Sequence, residues 1–129
     1  MLARFRLGYA PDAWDALRNG LGTSAQRIAL LEKTGMLGGG ERGRSYDRFR
    51  DRVMFPIHDA RGRVVAFGGR AMSAEVAAKY LNSPETPLFH KGHVLFNAHR
   101  ARGPAHDKSR VIAVEGYMDA IALTEAGFG

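Results

Sequence analysis

Val111-Ile112-Ala113-Val114-Glu115-Gly116-Tyr117-Met118-Asp119 is the stretch on which the fold turns. Its four leading apolar residues read as a buried strand, and Ala120-Ile121-Ala122-Leu123 continue as a helix. A strand that feeds a helix opens a parallel α/β unit, and open sheets of that kind bind ligands beyond the carboxyl ends of their strands. Glu115 is expected at such an end. Its carboxylate can ligate a divalent cation through oxygen or serve as a general acid or base. Gly116 permits a sharp turn, and the helix start beyond it offers unpaired N–H groups to an anion. The structural alternative for Glu115 is a helix-cap partner. For Asp119, in the first helical turn, a solvated carboxylate complementing the dipole is the simpler reading.

Working outward, the polar stretch 103–109 is read as a linker, which divides the chain into residues 1–109 and residues 110–129. The first part reads as a mixed α+β module. Residues 11–19 suit a short helix with Pro11 in its first turn and Trp14 and Leu17 on one face. A second helix is expected from a Thr23 cap to Lys33, stopped by Gly35. Gly38-Gly39-Gly40 then turns into a charged stretch, 41–52. Strands are expected at 53–57 and 64–67, joined by 58–63 with Gly62 in the left-handed position. Gly68-Gly69 either ends the second strand or admits a close approach. Residues 80–89 read as an ordered extended loop, 94–96 as a short strand and 97–102 as a short helix. Both ends of the chain look cut, because a strand–helix unit normally returns to a further strand. The last strand is therefore expected at a sheet edge, with its helix exposing Tyr117, Ile121 or Leu123.

The 129 residues suit one ordinary soluble domain, with 45% hydrophobic and 25% charged residues. Nineteen Lys and Arg against 13 Asp and Glu leave +6, which points to a polyanion such as nucleic acid or to a basic surface kept for solubility. With no cysteine, disulfides and thiolate zinc sites are excluded. No apolar run is long enough to cross a bilayer and no signal-peptide core is present, so a cytoplasmic location without a membrane partner is the default. The scattered histidines His90, His93, His99 and His106 have no spacing that favours a metal site.

Arg42, Arg44, Arg48, Arg50 and Arg52 form a basic set interleaved with Tyr46 and Phe49. Guanidinium groups among aromatic rings suit phosphates and stacked bases. The plain alternative is a solvated face in which Asp47 and Asp51 serve as ion-pair partners. Gly68-Gly69-Arg70 sets one positive charge beside permissive backbone, and Lys79 and Lys91 bracket the proline-rich loop.

Several long motifs taken together resemble bacterial DnaG-type DNA primases. They are Tyr46-Asp47-Arg48-Phe49-Arg50-Asp51-Arg52-Val53-Met54-Phe55-Pro56-Ile57, Gly62-Arg63-Val64-Val65-Ala66-Phe67-Gly68-Gly69-Arg70, Lys79-Tyr80-Leu81-Asn82-Ser83-Pro84-Glu85-Thr86 and Phe89-His90-Lys91-Gly92. Leu7-Gly8-Tyr9-Ala10-Pro11 with Trp14-Asp15 precedes them, and Glu115-Gly116-Tyr117-Met118-Asp119 resembles the first acidic motif of the TOPRIM fold. The resemblance covers nearly the whole chain. It implies an α+β architecture, a mixed α/β N-terminal subdomain of a primase core followed by the first strand–helix unit of a TOPRIM fold.

The resemblance also implies synthesis of short RNA primers on a single-stranded DNA template from ribonucleoside triphosphates, with Mg²⁺ or Mn²⁺. Glu115 becomes the TOPRIM glutamate, metal-associated or acid–base. Arg70, Lys79, Tyr80 and Lys91 line a basic groove for template or triphosphate, with Asn82 and Ser83 as groove or loop-ordering residues. Arg48 and Arg52 of the basic set join the nucleic-acid-binding candidates. An RNA–DNA hybrid is the implied product complex, and a replicative helicase the partner of a full-length parent. Two departures stand out. The Asp-x-Asp motif that supplies further metal ligands in the family does not occur here, so the chain alone is expected to be inactive. No zinc is expected in this chain either. The rival reading is a non-catalytic module that binds single-stranded nucleic acid. A topoisomerase or nuclease of the TOPRIM kind fits less well, since the 46–57 and 79–86 motifs do not belong to the TOPRIM unit.

Overall fold

A computed structural model describes residues 2–39 and 43–129. Gly40, Glu41 and Arg42, which close the expected glycine turn and open the charged stretch, lie outside the described residues. The helices are α1 (Leu2–Phe5), α2 (Ala16–Leu21), α3 (Ala25–Lys33), α4 (Ala98–Lys108) and α5 (Tyr117–Glu125). The strands are β1 (Gly8–Ala10), β2 (Leu37–Gly38), β3 (Tyr46–Asp47), β4 (Arg52–His58), β5 (Val64–Ala71) and β6 (Tyr80–Asn82). Four of them form an antiparallel sheet in the order β1-β4-β5-β6, and β2 pairs with β3 apart from it.

The β4–β5 hairpin is the framework. It turns through Asp59, whose carboxylate accepts from the N–H groups of Arg61 and Arg63, and through Gly62 at φ +79°. Pro56 sits in β4 beyond the end of the β1 pairing, where a missing N–H is tolerated. The second strand runs on through Gly68 and Gly69 to Ala71 rather than ending at Phe67. A Cβ at Gly68 would stand 2.6 Å from the Tyr117 ring. The glycine therefore admits a side chain from α5 against the sheet.

Two apolar clusters meet on this framework. Phe5, Phe55 and Ile121 form one, Ile57, Ala66 and Phe89 the other, and Tyr117 packs against both. The expectation that the last helix would be exposed is corrected here. Ile121 is fully buried and Tyr117 and Leu123 are half-buried, because α5 folds back onto β4.

Other expectations change as well. α2 begins at Ala16, not near Pro11, because the buried Asp47 carboxylate accepts from the N–H groups of Leu17 and Arg18 and so sets the helix start from a distant strand. Ser24, one residue after Thr23, caps α3 through Arg27 N–H. Residues 94–96 form no strand, and Val94 and Phe96 instead join the core clusters. The expected linker 103–109 is mostly helical, since α4 continues through Gly103 and Pro104 to Lys108. Residues 111–114 form no strand either. A strand needs a partner ladder, and no edge of the sheet meets this segment, so Val111 stays 73% exposed.

α4 docks on the hairpin through His99, whose ring lies 4.5 Å from that of buried His58. Burial first, then for His58 the positive charges of His99, Arg100 and Arg6 and for His99 that of Arg100, hold both imidazoles below their ordinary value, while Asp59 partly opposes the shift; Arg100 in turn stands near Arg4 and Arg6. A depressed folded value means the neutral rings favour folding. Their contribution is complete above about pH 6.5 and is lost as the pH falls through the lowered values. Urea melts at pH 7.5 and 5.5 are expected to show lower stability at pH 5.5, with His99→Leu shrinking the difference.

Candidate functional site

The candidate cations around β5 and β6 divide into those buried against main-chain carbonyls and those exposed at the surface. Arg48 donates through Nε (3.3 Å) and Nη2 (2.7 Å) to the Asn82 carbonyl, tying the loop before β4 to the end of β6. Burial lowers its pKa without threatening its charge. Arg52, read from the sequence as a nucleic-acid-binding candidate, is buried, and its Nη1 donates to the carbonyls of Gly69 (3.3 Å) and Lys79 (3.2 Å), so it ties β5 to the start of β6. Burial first, then the positive charges of Arg50 and Arg48, depress its pKa.

Arg70 is exposed and directly opposite Tyr80 across the β5–β6 pairing, with its guanidinium 6.0 Å from that ring. Lys79 and Tyr80 are exposed beside it. Ser83 is fully buried, and its Oγ accepts from Phe67 N–H, which clamps the loop after β6 to β5. Thus Ser83 is the loop-ordering residue of the pair named with Asn82.

Asn82 and Lys91 line a small cleft of about 170 Å³ with Phe96 and Tyr117. A larger, mainly apolar cleft of about 360 Å³ opens from the same Phe96 and Tyr117 between α4 and residues 110–129, and Glu115 is on its wall. The Glu115 side chain is exposed rather than turned into the core. Four residues on, Asp119 accepts from Gly116 N–H at 3.3 Å and so caps α5 rather than standing free.

Mg²⁺ and Mn²⁺ take oxygen ligands, commonly from one or two carboxylates plus waters and substrate phosphates. Glu115 fits as one such ligand. Among the described residues no group of three or more His, Cys, Asp or Glu gathers to hold a metal.

The sequence reading overlooked two side chains. Tyr117 stacks on Phe55 (5.2 Å, 15°), meets Phe96 edge-on and donates its hydroxyl to Asn82 Oδ1. Burial pushes its phenol up, so it remains a donor. Trp14, 62% exposed, carries the Arg50 guanidinium 3.8 Å from its ring, with Tyr46 edge-on to it at 5.3 Å. Arg50 also donates to the Asp47 carbonyl. The interleaved 46–50 pattern signalled this patch, but nothing local linked it to Trp14. Asp47 and Asp51 were the expected ion-pair partners, yet Asp47 caps α2 and Asp51 accepts from the Tyr9 hydroxyl.

Comparison with known proteins follows the same lines. Residues 1–102 match the family model for the DNA primase catalytic core, N-terminal domain. The DNA primase of Escherichia coli K12 is 47% identical over 127 residues, which is 98% of this chain and 22% of that protein. The chain therefore spans about a fifth of the length of the curated relatives it matches. Among solved structures, a DNA primase domain from Pseudomonas aeruginosa superposes with a TM-score of 0.92 at 48% identity, covering 98% of this chain and 40% of that one. A DnaG primase catalytic domain bound to single-stranded DNA matches with a TM-score of 0.86 at 46% identity, over 98% of this chain and 39% of that one. With its mixed α/β fold and these motifs in one order, the chain belongs to the family of DNA primase catalytic core N-terminal domains.

Proposed function

We propose that this chain is the N-terminal part of a primase catalytic core, which joins ribonucleoside triphosphates into short RNA primers on single-stranded DNA. The observation that carries the reading is the corner at which the exposed Glu115 carboxylate and the Asn82–Lys91 cleft share Phe96 and Tyr117. A carboxylate and the exposed Lys91 on adjoining clefts suit a reaction between a hydroxyl and a triphosphate. Lys79, Lys91 and Arg70 bind phosphate oxygens, and Tyr80 offers a ring for a base. Glu115 supplies one oxygen to Mg²⁺ or Mn²⁺, which when bound stabilises charge on the phosphates, or it moves a proton. Residues 110–129 begin a TOPRIM unit, whose further acidic ligands come from chain beyond this segment; residues 1–109 form the preceding subdomain. An RNA–DNA hybrid as product, a replicative helicase as partner and a cytoplasmic setting belong to the same proposal. Among the described residues no helix is long and apolar enough to cross a membrane.

The Trp14–Arg50–Tyr46 patch favours a second activity of the same segment, holding the template strand. Base stacking on an exposed ring contributes about 1–3 kcal/mol per base. Fluorescence anisotropy with a labelled single strand is expected to show binding that weakens with salt. Trp14→Ala is expected to weaken it by about 5-fold or more, the low end of that stacking range. Unchanged affinity in Trp14→Ala would remove the patch from the template path. Primer assays are expected to show no product from residues 1–129 alone and product once they replace the matching segment of the Pseudomonas aeruginosa core. Robust primers from the chain alone would refute the division of labour. Binding that survives while the hybrid core stays inactive would favour a non-catalytic binding module.

A further inference from the structure

The segment that presents Glu115 has little to hold it. Residues 111–114 pair with no strand, and the first of them are largely exposed. The position of the carboxylate is therefore set from its carboxyl-terminal side. Two residues on, Tyr117 inserts its ring between Phe55 and Phe96, into space that exists because residue 68 is glycine. Its hydroxyl reaches across to Asn82 Oδ1. Asn82 in turn is fixed through its carbonyl by both donating nitrogens of Arg48, and the next residue, Ser83, is clamped to Phe67. The chain of contacts runs from the loop before β4, through the end of β6, to the turn that carries Glu115.

We infer that Tyr117 is a positioning residue: its hydroxyl, held by Asn82, sets the Glu115 carboxylate in register with the phosphate-binding loop at 79–91. The inference rests on the reading of Glu115 as the reacting carboxylate. It gives Asn82 a task beside ligand binding, since both its side-chain and main-chain oxygens accept hydrogen bonds within the protein. Misplacing a reacting group by about 1 Å can cost about 100-fold in rate, whereas binding of substrate by other groups persists. The signature of such a residue is a fall in kcat at constant KM.

The test uses the hybrid core with residues 1–129 in place of the Pseudomonas aeruginosa segment. Tyr117→Phe keeps the stacked ring and deletes only the hydroxyl; Asn82→Ala removes its acceptor from the other side. Each is expected to lower kcat for primer synthesis by about 10- to 100-fold. KM for ribonucleoside triphosphate in Tyr117→Phe should stay within about 2-fold, and the double variant should fall no further than the worse single one, because both changes break one bond. Thermal melts accompany each variant, and a folding defect in one leaves the other to decide. A kcat for Tyr117→Phe within about 2-fold of the parent, or effects of the two changes that multiply, would overturn the inference. Glu115→Gln is the separate arm. If it stays active, the reading beneath the inference fails; if it is inactive while Tyr117→Phe is unimpaired, only the inference fails.

Discussion

Glu115→Gln in a complete core is expected to lower primer synthesis by about 100-fold or more, the range lost when a positioned acid–base group is removed. The substitution keeps the size of the side chain and removes its charge. Because Glu115 is exposed on a cleft wall and not part of either core cluster, folding should be unaffected. Affinity for single-stranded DNA should hold within about 2-fold, since phosphate contacts by Lys and Arg supply most of that binding. Steady-state primer assays beside anisotropy titrations separate the two quantities. A variant that retains a tenth or more of the parental rate would show that the carboxylate is not where the chemistry happens, however well the cleft is formed.

Phe55→Ala is expected to have the largest effect on stability. Phe55 is 1% exposed, shares a cluster with Phe5 and Ile121 and stacks on Tyr117. Deleting a buried ring of this kind costs about 3–5 kcal/mol, through lost burial and the cavity left behind. A small domain holds only about 5–15 kcal/mol in total. Urea melts should therefore show a large drop in midpoint, and amide exchange in α5 should accelerate most, because α5 has its main seat on Phe55. A loss below about 1.5 kcal/mol, as for a tolerated core swap, would mean that α5 is not anchored as described.

The parts legible in the sequence are those decided over a few residues. The β4–β5 hairpin followed from two apolar runs, an Asp-containing turn and a glycine at its left-handed position. The second helix followed from its hydroxyl cap and apolar stripe, one residue out of place. The misread parts are those where a distant contact overrode local chemistry. The stretch 103–109 read as a polar linker, yet α4 runs through Gly103 and Pro104, with its first turn fastened by His99 on His58 and Arg100 over Phe5. Residues 111–114 had the composition of a strand and lacked a neighbour to pair with.

Composition and motif order by themselves determined the basic charge, the absence of thiolate chemistry, the family and the candidate carboxylate. Covalent spacing and short-range propensity suffice for these. Which arginines are free, and what holds the carboxylate's turn, was decided only in three dimensions. Arg48 and Asn82 are 34 residues apart and Tyr117 and Asn82 35, so whether a guanidinium meets a carbonyl or solvent depends on segments that local pattern does not connect. Arg52 and Arg50 illustrate the outcome: two neighbours in one basic run, one buried on two carbonyls and the other laid over an exposed indole.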